Sequence, residues 1–296
     1  MDDQSLTVAV WKQYAGGRWS YDPRLSGQPI YRLPAIQAGV KLLGAPVVCL
    51  IDTLDWQTLF GNARLAELFG YEQAAQVSLD PDRRRGDLWR VGLTVLHNGA
   101  VTSYEPVWIH DRYCLRLRLR VGSRPAELIV PYLTSFSGAD RSCEMEQLLM
   151  AAELERGDPA FVMGDLNTQR PGQLWLPSSW QRRWQESRLF KPSPRLQQSA
   201  WTELIQQLDT RAISLLRQAG LRDLLASDRG PTKVRRVGGV TLKFAVDGCW
   251  GGNLAGLQCG AEVLRWLDFL RASDHYPLKL TLSLAQPHLD LPGSLY

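Results

Sequence analysis

Phe161-Val162-Met163-Gly164-Asp165-Leu166-Asn167-Thr168 and, far along the chain, Ser273-Asp274-His275-Tyr276-Pro277 are the stretches on which the fold turns. In the first, a short apolar run ends in Gly and then presents a carboxylate and a carboxamide two positions apart. Residues i and i+2 of extended backbone face the same way, so Asp165 and Asn167 are expected to address one ligand together. In the second, a carboxylate adjoins an imidazole, the side chain that exchanges protons near neutral pH. Each stretch is weak alone. Gly-Asp-Leu-Asn also suits a turn closed by its own side chain, and Ser-Asp-His suits a charged surface loop. Their order, and their place at the ends of apolar runs, give them weight.

Outward from these stretches, the chain alternates strand and helix patterns. Leu6–Trp11 and Pro46–Ile51 read as buried strands, and Leu33, Ile36, Val40 and Leu43 follow a helical period between them. Leu59, Leu65, Leu68 and Phe69 continue with helical spacing. Val91–Leu96 is a strand, and Cys114–Val121 alternates Leu with Arg, predicting a half-buried strand with Arg116, Arg118 and Arg120 on its open face. Glu127–Leu133 is a strand, Asp140–Arg156 a helix and Ala160–Met163 a short strand. Residues 171–200, rich in Pro and Trp, read as an irregular insertion. Trp201–Ala219 is an amphipathic helix stopped by Gly220. Thr232–Val237 and Val240–Val246 flank Gly238-Gly239, a hairpin signal. Leu257–Leu270 has helical spacing, and Leu278–Leu284 alternates as a last strand. The succession predicts one layered α/β domain over residues 1–296.

Composition narrows the function classes. The chain has 296 residues, 45% hydrophobic and 22% charged, which is ordinary for a globular protein and rules out coiled coil or bulk disorder. No P-loop, no His-Glu-x-x-His and no Gly-x-Ser-x-Gly occurs, so the common nucleotide, zinc-protease and serine-hydrolase signatures are missing. The five cysteines form no C-x-x-C pair. With no leader-like start and no long apolar run, a reduced, cytoplasmic chain without a membrane span is expected. The formal charge of +4 is compatible with a phosphate-bearing partner without demanding one.

Several features keep two readings. The Arg116, Arg118 and Arg120 stripe is a solvated sheet face or a ligand stripe. Trp175, Trp180 and Trp184 are a local core or a platform on which bases stack. Arg83-Arg84-Arg85 is a solvated loop or a set of phosphate contacts. His97 reads as a loop residue.

Taken together, the motifs resemble the endonuclease/exonuclease/phosphatase superfamily, the fold of exonuclease III and pancreatic deoxyribonuclease. Gly164-Asp-Leu-Asn167 is similar to its Gly-Asp-(Phe/Leu)-Asn motif and Ser273-Asp-His-Tyr-Pro277 to its C-terminal Ser-Asp-His-x-Pro. Leu6–Trp11, Val47–Asp52, Gly92–Leu96, Gly220–Leu224 and Ala245–Asp247 resemble further family segments in the right order. The resemblance implies a four-layer α/β sandwich, two packed mixed β-sheets flanked by helices. It implies a metal-dependent phosphoesterase acting on a phosphodiester or phosphomonoester, with DNA or RNA among the candidate substrates. Asp165 would position the attacking water, and Asn167 would hold that water or the phosphate. His275, oriented by Asp247, would act as general base or bond the phosphoryl oxygens. Asp52 and Asp274 would bind Mg2+ or Mn2+, hard cations that favour oxygen ligands.

The sequence departs from the family at two metal-side positions. Lys12 stands where the family has Asn, and Asp52 where it has Glu. A Lys12–Asp52 ion pair in the metal's place is the expected consequence. The alternative function that follows is a catalytically impaired member that binds a phosphate-bearing or protein partner. At a third position, where many members carry a catalytic His, Val130-Pro131-Tyr132-Leu133 supplies Tyr132. The apurinic-endonuclease branch also places Tyr there, bonded to the phosphate.

Overall fold

The computed structural model describes residues 4–13, 32–53, 56–78, 92–110, 112–135, 137–152, 157–170, 208–237 and 240–285. The insertion expected at 171–200, with its three Trp, and Arg83–Arg85 lie outside them. Strand β1 (Ser5–Lys12) pairs in parallel with β2 (Val47–Ile51). Parallel neighbours need a crossover, and α1 (Leu33–Leu43) supplies it. These central strands are covered on both faces, which is why their sequences run apolar without alternation. The short α2 (Trp56–Leu59) and α3 (Asn62–Phe69) follow, then β3 (Gln73–Ser78) and β4 (Gly92–His97). His97 is the last residue of β4, not a loop residue, and pairs with Val47 at the opposite end of β2 from Asp52.

The second sheet starts from β5 (Val101–Ile109), β6 (Arg112–Val121) and β7 (Arg124–Val130). Helix α4 (Gly138–Ala151) crosses over to β8 (Ala160–Asp165), parallel to β7. Ser137 caps α4 by accepting the Asp140 N–H at 3.2 Å. Helix α5 (Arg211–Gln218) and β9 (Arg222–Asp223) come next. They lead to the hairpin β10 (Lys233–Val237) and β11 (Val240–Phe244), then β12 (Asp247–Gly252) and β13 (Leu257–Val263). A 3-10 helix (Leu267–Arg271) and β14 (Leu278–Leu284) complete the described chain. One sheet runs β13-β14-β1-β2-β4-β3 and the other β5-β6-β7-β8-β12-β9. In each, a single parallel pair sits at the centre between antiparallel neighbours.

Alternation along β6, β7 and β8 separates the layers. Leu115, Leu117, Leu119, Leu128, Val130, Phe161 and Met163 join the core shared with the first sheet. Ile129 and Val162 turn the other way and pack with Met145 and Leu148 of α4 and Ile213 and Leu216 of α5. Helices outside two packed mixed sheets are the four-layer sandwich expected from the sequence. Among the described residues, no helix is long and apolar enough to cross a membrane.

Three local expectations change. Leu257–Val263 is a strand rather than the start of a helix. Its residues alternate in burial and pair along β14, so an available sheet edge overrides the helical spacing of the leucines. The helix expected over Trp201–Ala219 is described only from Arg211. Leu208–Thr210 are not helical, and Asp209 accepts the Arg211 N–H at 3.0 Å, a side-chain bond that competes with helix formation. It does stop at Gly220, whose φ is 79°. Arg116 is buried, not solvated: it pairs with Glu127 at 2.8 Å and Glu105 at 3.3 Å, which gives it a structural partner on the outer face of β6.

Gly164 shows how tightly the centre is built. A Cβ there would lie 2.5 Å from the Pro131 carbonyl oxygen and 3.3 Å from Ile51 Cδ1. The obstacle is backbone and cannot rotate away. Gly164→Ala is expected to cost about 1–3 kcal/mol of stability, as overpacking does, and denaturant unfolding measures it. Unchanged stability would show that the β7 and β8 ends give way.

Candidate active site at the strand ends

The two parallel pairs end at the same edge. Lys12 is the last residue of β1, Asp52 follows β2, Tyr132 follows β7 and Asp165 closes β8. Ligands gather at such carboxyl ends in α/β sheets. Register brings a second carboxylate to Asp165: β12 runs antiparallel to β8 with Asp247 directly opposite it. Like charges facing each other across a ladder repel, so positive groups must answer them.

His275 answers Asp247. Its Nδ1 lies 2.9 and 3.1 Å from the two Asp247 oxygens. The carboxylate accepts, so Nδ1 carries the proton and Nε2 is left with its lone pair. That nitrogen is buried, makes no hydrogen bond among the described residues, and lies 3.9 Å from Asp274 Oδ1, which is likewise unbonded. Burial pushes the Asp247 carboxyl up, against the pull of His275.

Lys12 answers Asp165. Its ammonium donates to Asp165 Oδ2 at 2.6 Å and sits 4.3 Å from the centre of the Tyr132 ring. Lys12 is 8% exposed and Asp165 0%. The ion pair expected with Asp52 is therefore made to Asp165 instead. The reason is register: Lys12 pairs with Ile51, so Asp52 lies one step beyond, where the chain turns with φ 64°. Burial alone would lower the Lys12 ammonium. The charge of Asp165, with Tyr132, Asp52 and Asp274 behind it, prevails and holds it well above the usual lysine range. Burial alone would raise Asp165, but Lys12, His275 and Lys233 keep it below the usual carboxylate range. Burial pushes the Tyr132 phenol up to about 12, so its hydroxyl keeps its proton.

Hydrogen bonds lock this edge from behind. Trp11 Nε1–H donates to the His275 carbonyl at 3.0 Å, and the Ser273 hydroxyl donates to the Lys12 carbonyl at 2.6 Å. The Ser273 oxygen accepts the His275 N–H. Thr232 Oγ1 accepts the N–H groups of Val246 and Asp247, both at 3.0 Å. Thr232 and Lys233 carried no signal in the sequence. Thr232 gains its role through these bonds, and Lys233 through the bridge that sets it beside His275.

Asn167 reaches the site by a route other than strand alternation. Its backbone turns with φ 45°. Its N–H donates to Asp165 Oδ1 at 2.9 Å and its Nδ2 to the Leu133 carbonyl at 2.6 Å. The structure thus brings Asp165, Asn167, Asp247, His275 and Tyr132 to one edge. Asp223, in the Gly-Leu-Arg-Asp segment, instead pairs with Arg170 at 2.7 Å.

Asp165, Asp247 and His275 each bring a ligand atom within 4.8 Å of the others, close enough to hold a metal ion. Asp52 and Asp274, the expected ligands, are not in that group. The donor set does not fit a hard dication while Lys12 is in place. The Lys12 ammonium bonded to Asp165 Oδ2 puts a positive charge where the dication would sit, and both Asp247 oxygens face the His275 N–H.

No protein-family model and no curated protein matches the chain. Solved structures do. An endonuclease/exonuclease/phosphatase from Beutenbergia cavernae is 17% identical with TM-score 0.62, over 95% of this chain and 72% of that one. An AP endonuclease from Archaeoglobus fulgidus is 15% identical with TM-score 0.61, over 95% and 100%. ANGEL2, a 2',3'-cyclic phosphatase in complex with adenosine-2',3'-vanadate, is 15% identical with TM-score 0.59, over 95% and 96%. The chain has the fold of the endonuclease/exonuclease/phosphatase proteins, as its motifs indicated.

Proposed function

We propose that this protein hydrolyses phosphate esters at the edge where β1, β7, β8 and β12 end. The observation that carries the reading is the Asp247–His275 pair. It holds a buried imidazole with Nδ1 protonated and Nε2 unbonded, beside an ammonium and a carboxylate. A carboxylate behind an imidazole fixes its tautomer and raises its basicity. The likeness to nucleases and a phosphatase of the same fold supports the substrate class.

The residues divide the work as follows. Water attacks phosphorus, the new P–O bond forms and the ester P–O bond breaks. Nε2 of His275 takes the water proton and later releases it to solvent, and the departing alkoxide, on the far side of phosphorus, takes its proton from solvent. Asp165, kept anionic by Lys12, orients the water by accepting from it. The Tyr132 hydroxyl, still protonated, donates to a phosphoryl oxygen. Asn167, anchored on Leu133, limits where the phosphate sits. Asp247 positions His275 without touching substrate.

A panel of duplex and single-stranded DNA, RNA, nucleotides and generic phosphodiesters tests this, each with and without Mg2+ or Mn2+. Asp165→Ala, confirmed folded by circular dichroism, runs as the blank. Turnover of at least one class, lost in the blank, is the expected result. Binding to nucleic acid that weakens steeply with salt would mark a nuclease. The Lys12–Asp165 ion pair favours a second reading, a phosphate-binding module without turnover. Hydrolysis of no ester, with inorganic phosphate still bound, would replace the first reading by that one.

A further inference from the structure

We propose that the Lys12 ammonium is the resident cation of this site, standing where a divalent metal would otherwise serve and binding the phosphoryl group directly. The inference rests on reading this edge as a phosphate site, but not on turnover. Three observations carry it. The ammonium is fixed, held by Asp165 at 2.6 Å and the Tyr132 ring at 4.3 Å. Its backbone is pinned by the Ser273 hydroxyl and by the pairing of Lys12 with Ile51. Asp52 follows Ile51, the partner of Lys12 across the ladder, and Asp274 follows Ser273, whose hydroxyl holds the Lys12 carbonyl, so the residues the resemblance assigns to a metal flank a cation that is already covalently present.

The charges then exclude a competitor. A dication seated among Asp165, Asp52 and Asp274 would meet a buried ammonium at close range, where little water screens the repulsion. A phosphoryl oxygen meets the opposite situation. An ammonium has three N–H donors, and among the described residues that of Lys12 makes one hydrogen bond, to Asp165. Two donors are left for an anion, and a lysine serves phosphate as a point charge. The neighbouring Tyr132 hydroxyl, which keeps its proton, adds no negative charge toward it.

Titration of the full chain with Mn2+, followed by electron paramagnetic resonance and calorimetry, tests the proposal without reference to activity. The wild type is expected to leave Mn2+ free. Lys12→Asn combined with Asp52→Glu, which restores the family's residues, is expected to bind it at least about tenfold more tightly. In parallel, inorganic phosphate should bind the wild type equally well with and without Mg2+. Its affinity should fall about tenfold or more in Lys12→Met and stay within about threefold in Lys12→Arg, which keeps the charge should Lys12→Met not fold. Mn2+ uptake by the wild type matching that of the double variant would overturn the proposal, as would phosphate binding that requires Mg2+. The two readings fail separately. Phosphate binding without metal and without turnover sinks hydrolysis and keeps Lys12 as the cation. Turnover that follows Mn2+ uptake does the reverse.

Discussion

Lys12→Met will cost the protein about 3–5 kcal/mol of stability, the range found when one member of a buried ion pair is removed. The methionine fills much of the same space, so packing is not the main loss. Asp165, with no exposed surface, is left facing Asp247 across the ladder without its largest offsetting charge, and His275, Lys233 and Arg141 remain. The pH dependence separates this cause from a packing defect. In the wild type, the Asp165 carboxyl is depressed, so its contribution is present above the unfolded value of about 3.9 and fades as pH falls through the lower folded value. The Lys12 ammonium is raised, so its contribution is present below the unfolded value of about 10.4 and fades as pH rises through the higher folded value. Between about pH 5 and 9 the pair contributes a constant amount. In Lys12→Met, burial dominates and raises Asp165. Its neutral form then becomes the favoured buried form, and stability grows as pH falls from 8 to 5. Urea unfolding at those two values measures it. A variant as stable as the wild type, or one with no gain on acidification, would show that the pair is not what balances Asp165.

Asp247→Asn will lower kcat for the cleaved ester by about 10^2 to 10^4 with a small change in KM, the loss expected when an imidazole is held in the wrong tautomer. The two Asp247 oxygens accept from Nδ1 at 2.9 and 3.1 Å. An asparagine amide presents an N–H2 group to the same nitrogen and moves the proton to Nε2, where it blocks uptake from water. The fold should change little, because the backbone N–H of Asp247 is held by Thr232. Nitrogen-15 shifts of the imidazole report the tautomer independently of activity. An unchanged kcat would remove His275 from the proton path, and an unchanged tautomer would remove Asp247 from its positioning role.

The candidate site was legible to different depths. Apolar runs closed by acidic residues located Asp165, Asp274 and His275 at strand ends, and the two motifs together indicated the sandwich. Asp247 was marked only by its resemblance to a family segment, since Ala245-Val246-Asp247 has no pattern of its own. The nearness of Asp165 and Asn167 was expected from strand alternation. It arises instead from a turn in which the Asp165 side chain accepts the Asn167 N–H. Leu257–Leu270 has leucines spaced for a helix, and its residues Leu257–Val263 also suit an edge strand once β14 offers one.

Local pattern by itself determined the central strands, the helix over Leu33–Leu43, the stop at Gly220, the pairing of β10 with β11 and the chemistry present at the strand ends. Those features depend on hydrophobic periodicity and backbone freedom, which act over a few neighbouring residues. Tertiary structure alone decided which acid Lys12 would serve. Lys12 and Asp165 are 153 positions apart. Their meeting follows from the register of β1 on β2, the parallel seating of β8 beside β7, and the Trp11 and Ser273 hydrogen bonds across the edge. An ion pair falls off with distance through space and is indifferent to separation along the chain, so no reading of Lys12 beside its sequence neighbours could select Asp165 over Asp52.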